Sequence, residues 1–297
     1  MNMKRIVLLG WLLALGGIHT GCHSLAGKPE PMDVVLVAGQ SNAVGYDARP
    51  DQLPADPADR EVWFWWRCGD PPPDTHDSTS GGQWTRLQPQ PRGEPKLPKT
   101  GRQYGNFAQP EGGFGPEMGL ARELRAREKQ PLAVMKAAFS GTGLRGDWNP
   151  TGEGGECYRA LVAETRAALA AAQAQGVSVR LRALVWVQGE SDANAQDAPV
   201  YEQALGGMIA ALRRDLAAPD LPVLLAVNTR FGGGRNACMP QIIAAQQALA
   251  AKDRRCIYVD TEGAAIANVV HFSAAGTLEV GRRFAQALLR LEQASKR

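Results

Sequence analysis

Short apolar runs rich in β-branched residues alternate along this chain with longer stretches of helical periodicity. The first run is Asp33 to Ala38, carrying Val34, Val35, Leu36 and Val37. Four more follow at Leu132–Phe139, Ala183–Val187, Val223–Val227 and Ile257–Val259. Continuous apolar runs of this length read as strands buried on both faces. Between them, Glu117–Glu128 places Met118, Leu120, Ala121 and Leu124 at helical spacing. Tyr158–Gln175 is alanine-rich and stops at Gly176, and Val200–Leu216 stops near Pro219. Pro240–Ala251 begins on a proline, which suits a first helical position. Ser273–Leu291 opens on an N-capping serine and keeps Leu278, Phe284, Leu288 and Leu291 to one side. Strands alternating with helices predict a three-layer α/β/α sandwich around a five-stranded parallel sheet. Right-handed crossovers then bring every strand's C-terminus to one edge, where sites form.

Two stretches break the rhythm. Cys68 to Gly113 is rich in proline and glycine and shows little periodicity. A loop of that length in a compact domain is usually functional or disordered, and part of it is expected to fold over the sheet edge. Trp63-Phe64-Trp65-Trp66, just before it, reads as a strand, a ligand-facing aromatic patch or simply core. The other stretch is the N-terminus. Lys4 and Arg5 precede an apolar run from Ile6 to Ile18, and Thr20-Gly21-Cys22 follows. A basic start, a short apolar segment and small residues make a secretory signal, and the run is too short for a bilayer, which needs about 20 residues. Cys22 after small residues resembles a lipoprotein signal, with His19 where an aliphatic residue is usual. The expected layout is a signal over residues 1–21, a tether over 22–32 and one domain over 33–297. That layout implies an exported protein of the bacterial envelope, touching membrane only through a lipid on Cys22.

Composition narrows the function classes. The 297 residues are 44% hydrophobic and 21% charged, which is ordinary globular usage and excludes disorder throughout. Without Lys4 and Arg5 the chain carries 31 basic against 30 acidic residues, so no polyanionic partner such as nucleic acid is indicated. Beyond Cys22, Cys68, Cys157, Cys238 and Cys256 form no CxxC or zinc spacing. An exported compartment permits disulfides among them; buried free thiols are the alternative.

Histidine is scarce: His19, His23, His76 and His271 are all there are. The first two belong to the signal and tether, and His76 sits in a Pro-Pro-Pro-Asp-Thr-His-Asp loop. His271 lies between the last apolar strand and the last helix, at the edge where sites form, and is the candidate general base. Ser41, in Gly39-Gln40-Ser41-Asn42, sits in the turn after the first strand. There its hydroxyl can face the edge, and backbone N–H groups can stabilise an oxyanion. The Gly-x-Ser-x-Gly elbow is absent. A third cluster, Gln188-Gly189-Glu190-Ser191-Asp192, follows the middle strand. Gln188 could donate to an oxyanion; Glu190 and Asp192 could orient a histidine or hold the loop together.

Taken together these blocks resemble the SGNH-type carbohydrate esterases, and more narrowly the sialate O-acetylesterase and acetylxylan esterase group (carbohydrate esterase family 6). Gly113-Phe114-Gly115-Pro116-Glu117 is similar to that group's second block, and Gly141-Thr142-Gly143-Leu144 with Trp148 to its Gly-Gly-Thr-x-Leu…Trp segment. Gly281-Arg282-Arg283-Phe284-Ala285 matches its C-terminal helix, and the likeness spans roughly residues 33–290. The resemblance implies a flavodoxin-like fold and removal of acetyl from a carbohydrate, without cofactor or metal. It makes Ser41 the nucleophile and His271 the base. The Ser41 and Gly115 N–H groups and the Gln188 side chain would form the oxyanion hole, and Arg145 and Trp148 would line the sugar pocket.

One departure matters. The group carries Asp three residues before the histidine; here that residue is Asn268. Asparagine accepts a hydrogen bond but brings no charge, and in serine proteases that exchange lowers turnover about 10⁴-fold. Three explanations stand: a dyad oriented by Asn268 or a backbone carbonyl, another carboxylate such as Glu190, or lost catalysis. The last leads to a carbohydrate-binding lipoprotein of the same fold. An esterase for non-sugar acyl groups is a further alternative, which the polar, Gly/Pro-rich 68–113 segment disfavours.

Overall fold

The computed structural model describes residues 30–72, 77–94 and 106–295. The signal segment, Cys22, His19, His23 and His76 lie outside the described residues. The chain enters on β1 (Met32–Gly39), makes one helical turn, α1 (Ser41–Val44), and reaches β2 (Trp63–Gly69). Two short strands follow, β3 (Ser78–Thr79) and β4 (Thr85–Arg86). Helices and strands then alternate: α2 (Glu117–Arg127), β5 (Leu132–Phe139), α3 (Glu156–Ala174), β6 (Val179–Val187), α4 (Tyr201–Asp215), β7 (Val223–Ala226), α5 (Met239–Lys252), β8 (Cys256–Tyr258) and α6 (Ala274–Ser295).

The sheet order is β3-β2-β5-β1-β6-β7-β8, with β4 also paired to β2. Strands β2, β5, β1, β6, β7 and β8 are all parallel, and β3 and β4 run antiparallel to β2. The apolar pattern predicts five parallel strands; the sixth is β2. Its run of aromatics lacks alternation because both faces are covered. Phe64 and Trp66 enter one core layer and Trp65 the other. Trp66 is only 5% exposed, so this run is not a ligand-facing patch.

Alternation along β1 sorts the two layers. Val34, Leu36 and Ala38 meet residues of α3, α4 and α5, including Leu161, Leu205 and Ile242. Val35 and Val37 meet α1, α2 and α6, including Met118, Leu120 and Phe284. Burying a side chain such as Leu36 contributes about 1.5–3 kcal/mol. The central strand is thus fixed from both sides and its C-terminal end is a rigid platform. All four described cysteines are free thiols. Burial pushes the Cys68 thiol up to about 12, so it is a core residue rather than a reactive one. No helix among the described residues is long and apolar enough to cross a membrane.

Candidate active site

Ser41 opens α1 directly beyond β1, at the C-terminal edge of the sheet. The Gln40 N–H donates to the Val187 carbonyl, and the Gln40 Oε1 accepts from the Ser191 N–H at 3.2 Å. The serine turn is thereby tied to the loop after β6. Ser41 is 6% exposed, and its hydroxyl is not among the sealed oxygens that lack a partner. The Ser41 N–H is committed to no backbone acceptor among the described residues. Gly45 ends the turn in the left-handed region, φ +84°, where an added Cβ would stand 1.8 Å from the Phe114 carbonyl oxygen. Only glycine fits there. The reversal turns the chain back towards its own serine and delivers Tyr46 and Asp47.

His271 comes from the connection between β8 and α6. The residue after the serine holds it in place. The Asn42 Oδ1 accepts from the Phe272 N–H at 3.0 Å, and the Asn42 Nδ2 donates to the Val270 carbonyl at 3.1 Å. One side chain therefore grips both neighbours of His271. Asn228 adds a second donor to the Val270 carbonyl at 3.0 Å. The imidazole lies against the Tyr46 ring, with centroids 4.8 Å apart. Its Nδ1 is 2.6 Å from the Asp47 Oδ2. An Nδ1–H donated to that carboxylate leaves Nε2 as the basic nitrogen.

Asn268 does not touch the imidazole. Its Oδ1 accepts from the backbone N–H groups of Val270 and His271, each at 2.9 Å, and its Nδ2 donates to Asp47 Oδ2 at 2.9 Å. It shapes the histidine loop and aims the carboxylate. The hydrogen bond from His271 holds the Asp47 carboxyl below the usual carboxylate range, against the upward push of burial. Asp47 is therefore ionised at neutral pH, as a partner for imidazolium should be.

Sequence comparison adds to this geometry. Residues 31–290 match the family described as carbohydrate esterase, sialic acid-specific acetylesterase. The chain belongs to that family. It is thus an SGNH carbohydrate esterase, a carboxylic ester hydrolase. Among solved structures it is similar to a protein from Arabidopsis thaliana, at 22% identity over 88% of this chain and 99% of that one, with a TM-score of 0.62. It is also similar to NanS (18% identity, 90% and 99% covered, TM-score 0.60). A carbohydrate acetylesterase from Xanthomonas citri shows 17% identity over 88% of this chain and 56% of that one, with a TM-score of 0.58. These likenesses establish a shared fold. A comparison with curated protein sequences returned no match.

Several sequence-based expectations for this esterase need correction. Glu190 is buried and makes no bond to His271; its Oε1 accepts from the Asn42 Nδ2 at 2.8 Å and the Asn228 N–H at 3.1 Å. It supports the two asparagines that grip the histidine loop, and burial raises its carboxyl pKa. The Gly115 N–H already donates to Glu117 Oε1 at 2.7 Å. The Gln188 Nε2 is fully buried and spent on the Thr142 carbonyl at 3.0 Å and on Asp192. Neither donor is free for an oxyanion. Trp148 is fully buried, stacked edge-on against Trp186 with its Nε1 on Thr142 Oγ1 at 2.8 Å, so it is core and not sugar platform.

Arg145 does line an open cavity of about 490 Å³, with Gly141, Asp147, Ser191, Asp192 and Asp197. Asp47 is the residue that sequence reasoning missed. It stands 224 positions from His271, and no local spacing links the two. Its one signal is that it is the first carboxylate after the serine. Among the described residues no group of His, Cys, Asp or Glu side chains is arranged to hold a metal.

Proposed function

We propose that this chain is a serine O-acetylesterase of carbohydrates working through Ser41, His271 and Asp47. The observation that carries the reading is the 2.6 Å contact between His271 Nδ1 and Asp47 Oδ2, on a histidine gripped by the residue next to Ser41. Ser41 Oγ attacks the acetyl carbonyl carbon while His271 Nε2 takes the hydroxyl proton. The Ser41 N–H donates to the developing oxyanion. The bond between carbonyl carbon and sugar oxygen then breaks, and the sugar oxygen takes the proton from His271. Water, deprotonated by His271, attacks the acetyl-enzyme; acetate leaves and Ser41 regains its proton. Asp47 fixes the tautomer and stabilises the imidazolium.

Asn268 is the ground for a non-catalytic, glycan-binding reading, and the carboxylate at Asp47 weakens that ground. The N-terminal pattern around Cys22 supports placing the enzyme at the bacterial envelope, held by a lipid. Acetate release by full-length protein from O-acetylated xylan and O-acetylated sialic acid tests the reading. We expect release by the wild type and at least a thousandfold less by Ser41→Ala. Equal release by both proteins would discard Ser41 as nucleophile. Glycan binding without release would favour the non-catalytic reading.

A further inference from the structure

The asparagines beneath His271 grip its backbone. Asn42 and Asn228 hold the Val270 carbonyl, and Asn42 also holds the Phe272 N–H. Those bonds do not fix the side-chain torsions, and the terminal torsion of a histidine has a broad minimum. One ring atom is tethered, by the 2.6 Å contact of Nδ1 with Asp47. A ring held at one atom can still rock about that contact and carry Nε2 away from a neighbouring hydroxyl.

A flat surface closes off the rocking. Tyr46 lies against the imidazole with centroids 4.8 Å apart and ring planes 35° from parallel. Its place is set by the serine turn itself. The Tyr46 N–H donates to the Ser41 carbonyl at 3.1 Å, and the Tyr46 carbonyl accepts from the Ala108 N–H at 2.9 Å. With both backbone groups committed, the tyrosine ring hangs from a fixed point and has two torsions of its own. The next residue, Asp47, carries the carboxylate, so one dipeptide beyond Gly45 supplies both the wall and the acid. Tyr46 is half-buried, and the side chains of His271 and Asp47 are 14% and 16% exposed. An ion pair is stronger where water is kept away from it.

The charged groups acting on these rings come from several elements. Asp47 acts on the imidazole from the serine turn, and Glu190 from the loop after β6. Burial and the charges of Asp47 and Asp70 push the Tyr46 phenol above its ordinary value, against a smaller pull from Arg92. The wall is therefore uncharged at neutral pH.

We propose that Tyr46 is a positioning residue of this esterase: its ring backs the His271 imidazole, fixes the plane in which Nδ1 meets Asp47 and shelters that contact from water. The proposal rests on the Ser41–His271–Asp47 reading and adds the residue through which the serine turn steers its own base. Displacing a reacting nitrogen by about 1 Å costs up to about a hundredfold in rate.

The test compares Tyr46→Phe, which keeps the flat ring, with Tyr46→Leu, which keeps bulk and loses flatness. The readout is hydrolysis of p-nitrophenyl acetate by full-length protein, with kcat and KM separated and the uncatalysed rate subtracted. Urea unfolding checks that each variant is folded. We expect Tyr46→Leu to lower kcat about tenfold to a hundredfold with KM changed less than about twofold, and Tyr46→Phe to recover to within about threefold of wild type. Tyr46→Met takes the place of the leucine variant if that one does not fold. A second arm asks whether Tyr46 acts through the acid. In an Asp47→Asn background the leucine substitution should cost less than about threefold, because residues that act as a unit are not additive. Phenylalanine as damaging as leucine overturns the proposal, since the flat ring alone would then not suffice. The full loss persisting in the Asp47→Asn background also overturns it, by marking a general packing effect. If Ser41→Ala or Asp47→Asn hydrolyses the ester like the wild type, the triad reading fails and the positioning role with it. If both are impaired while Tyr46→Leu matches the wild type, the positioning role alone fails.

Discussion

If Asp47 serves as the acid of the proposed triad, a carboxylate reaching His271 from a different loop leaves a testable trace at the level of single residues. Asp47→Asn keeps the shape of the contact and removes its charge. It is expected to lower kcat by about 10³–10⁴ with little change in KM, the scale of losing the orienting acid in a triad. Asn268→Asp is the informative partner. Alone it sets two carboxylates against each other where Asn268 Nδ2 now donates to Asp47 at 2.9 Å, and activity should fall. Combined with Asp47→Asn it restores an acid to the neighbourhood of His271 while its oxygen still accepts the Val270 and His271 N–H groups. The double variant should therefore exceed Asp47→Asn by at least tenfold in kcat/KM, and a double variant no better than the single would argue against Asp47 as the acid. Glu190 sits one bond further out. Glu190→Gln keeps one oxygen to accept from Asn42 and Asn228 and should lose no more than about tenfold in kcat/KM. Glu190→Ala leaves both donors buried without an acceptor and should cost about 1–3 kcal/mol of stability, read by denaturant titration.

At the scale of elements, the serine turn is carried by a buried ion pair. Lys136 projects from β5 into the core and donates to the Val44 carbonyl at 2.8 Å, Gln90 Oε1 at 2.7 Å and Glu117 Oε1 at 3.0 Å. It therefore links α1, the first residue of α2 and the 88–90 segment. Lys136→Met leaves the Glu117 charge uncompensated and should destabilise by about 3–5 kcal/mol; restoring neutrality with Glu117→Gln should recover part of that. The apolar run around Lys136 marks it as internal, but its partners Gln90 and Glu117 lie 46 and 19 positions away and no local spacing points to them. The elements themselves were mostly readable, because strands covered on both faces leave continuous apolar runs and helices leave a 3.6-residue period. β2 was ambiguous because four aromatics fit any buried surface. β3 and β4 were unreadable because two-residue strands at an edge carry no period.

At the scale of the whole molecule, the shared edge on which Ser41 and His271 sit was legible because a parallel sheet gathers its strand ends there. The Asp47 carboxylate beside His271 and the free or spent state of each N–H were not, since both depend on contacts across distant loops. The same gathering buries a carboxylate, Asp192, and this has a consequence for pH. Asp192 has its folded-state pKa raised to about 6, first by burial, whereas an unfolded aspartate titrates near about 3.9. Between those values the folded chain binds the proton and the unfolded chain does not. The group's contribution to stability is therefore full below about pH 4 and is lost as pH rises through about 6. A two-unit difference corresponds to about 3 kcal/mol at most, reduced by whatever solvent reaches the cavity. Asp192→Asn cannot titrate and should lack this dependence. Measured by urea unfolding from pH 4 to pH 8, the stability of Asp192→Asn relative to wild type should climb between pH 4 and 6 and level off above. The comparison with the variant is needed because Asp47, whose folded pKa is lowered, acts in the opposite sense: its stabilisation is present above about pH 4 and lost as the solution becomes more acidic. A difference curve that is flat across the whole range would mean that Asp192 titrates normally. Burial would then weigh less on this carboxyl than its place in the structure suggests.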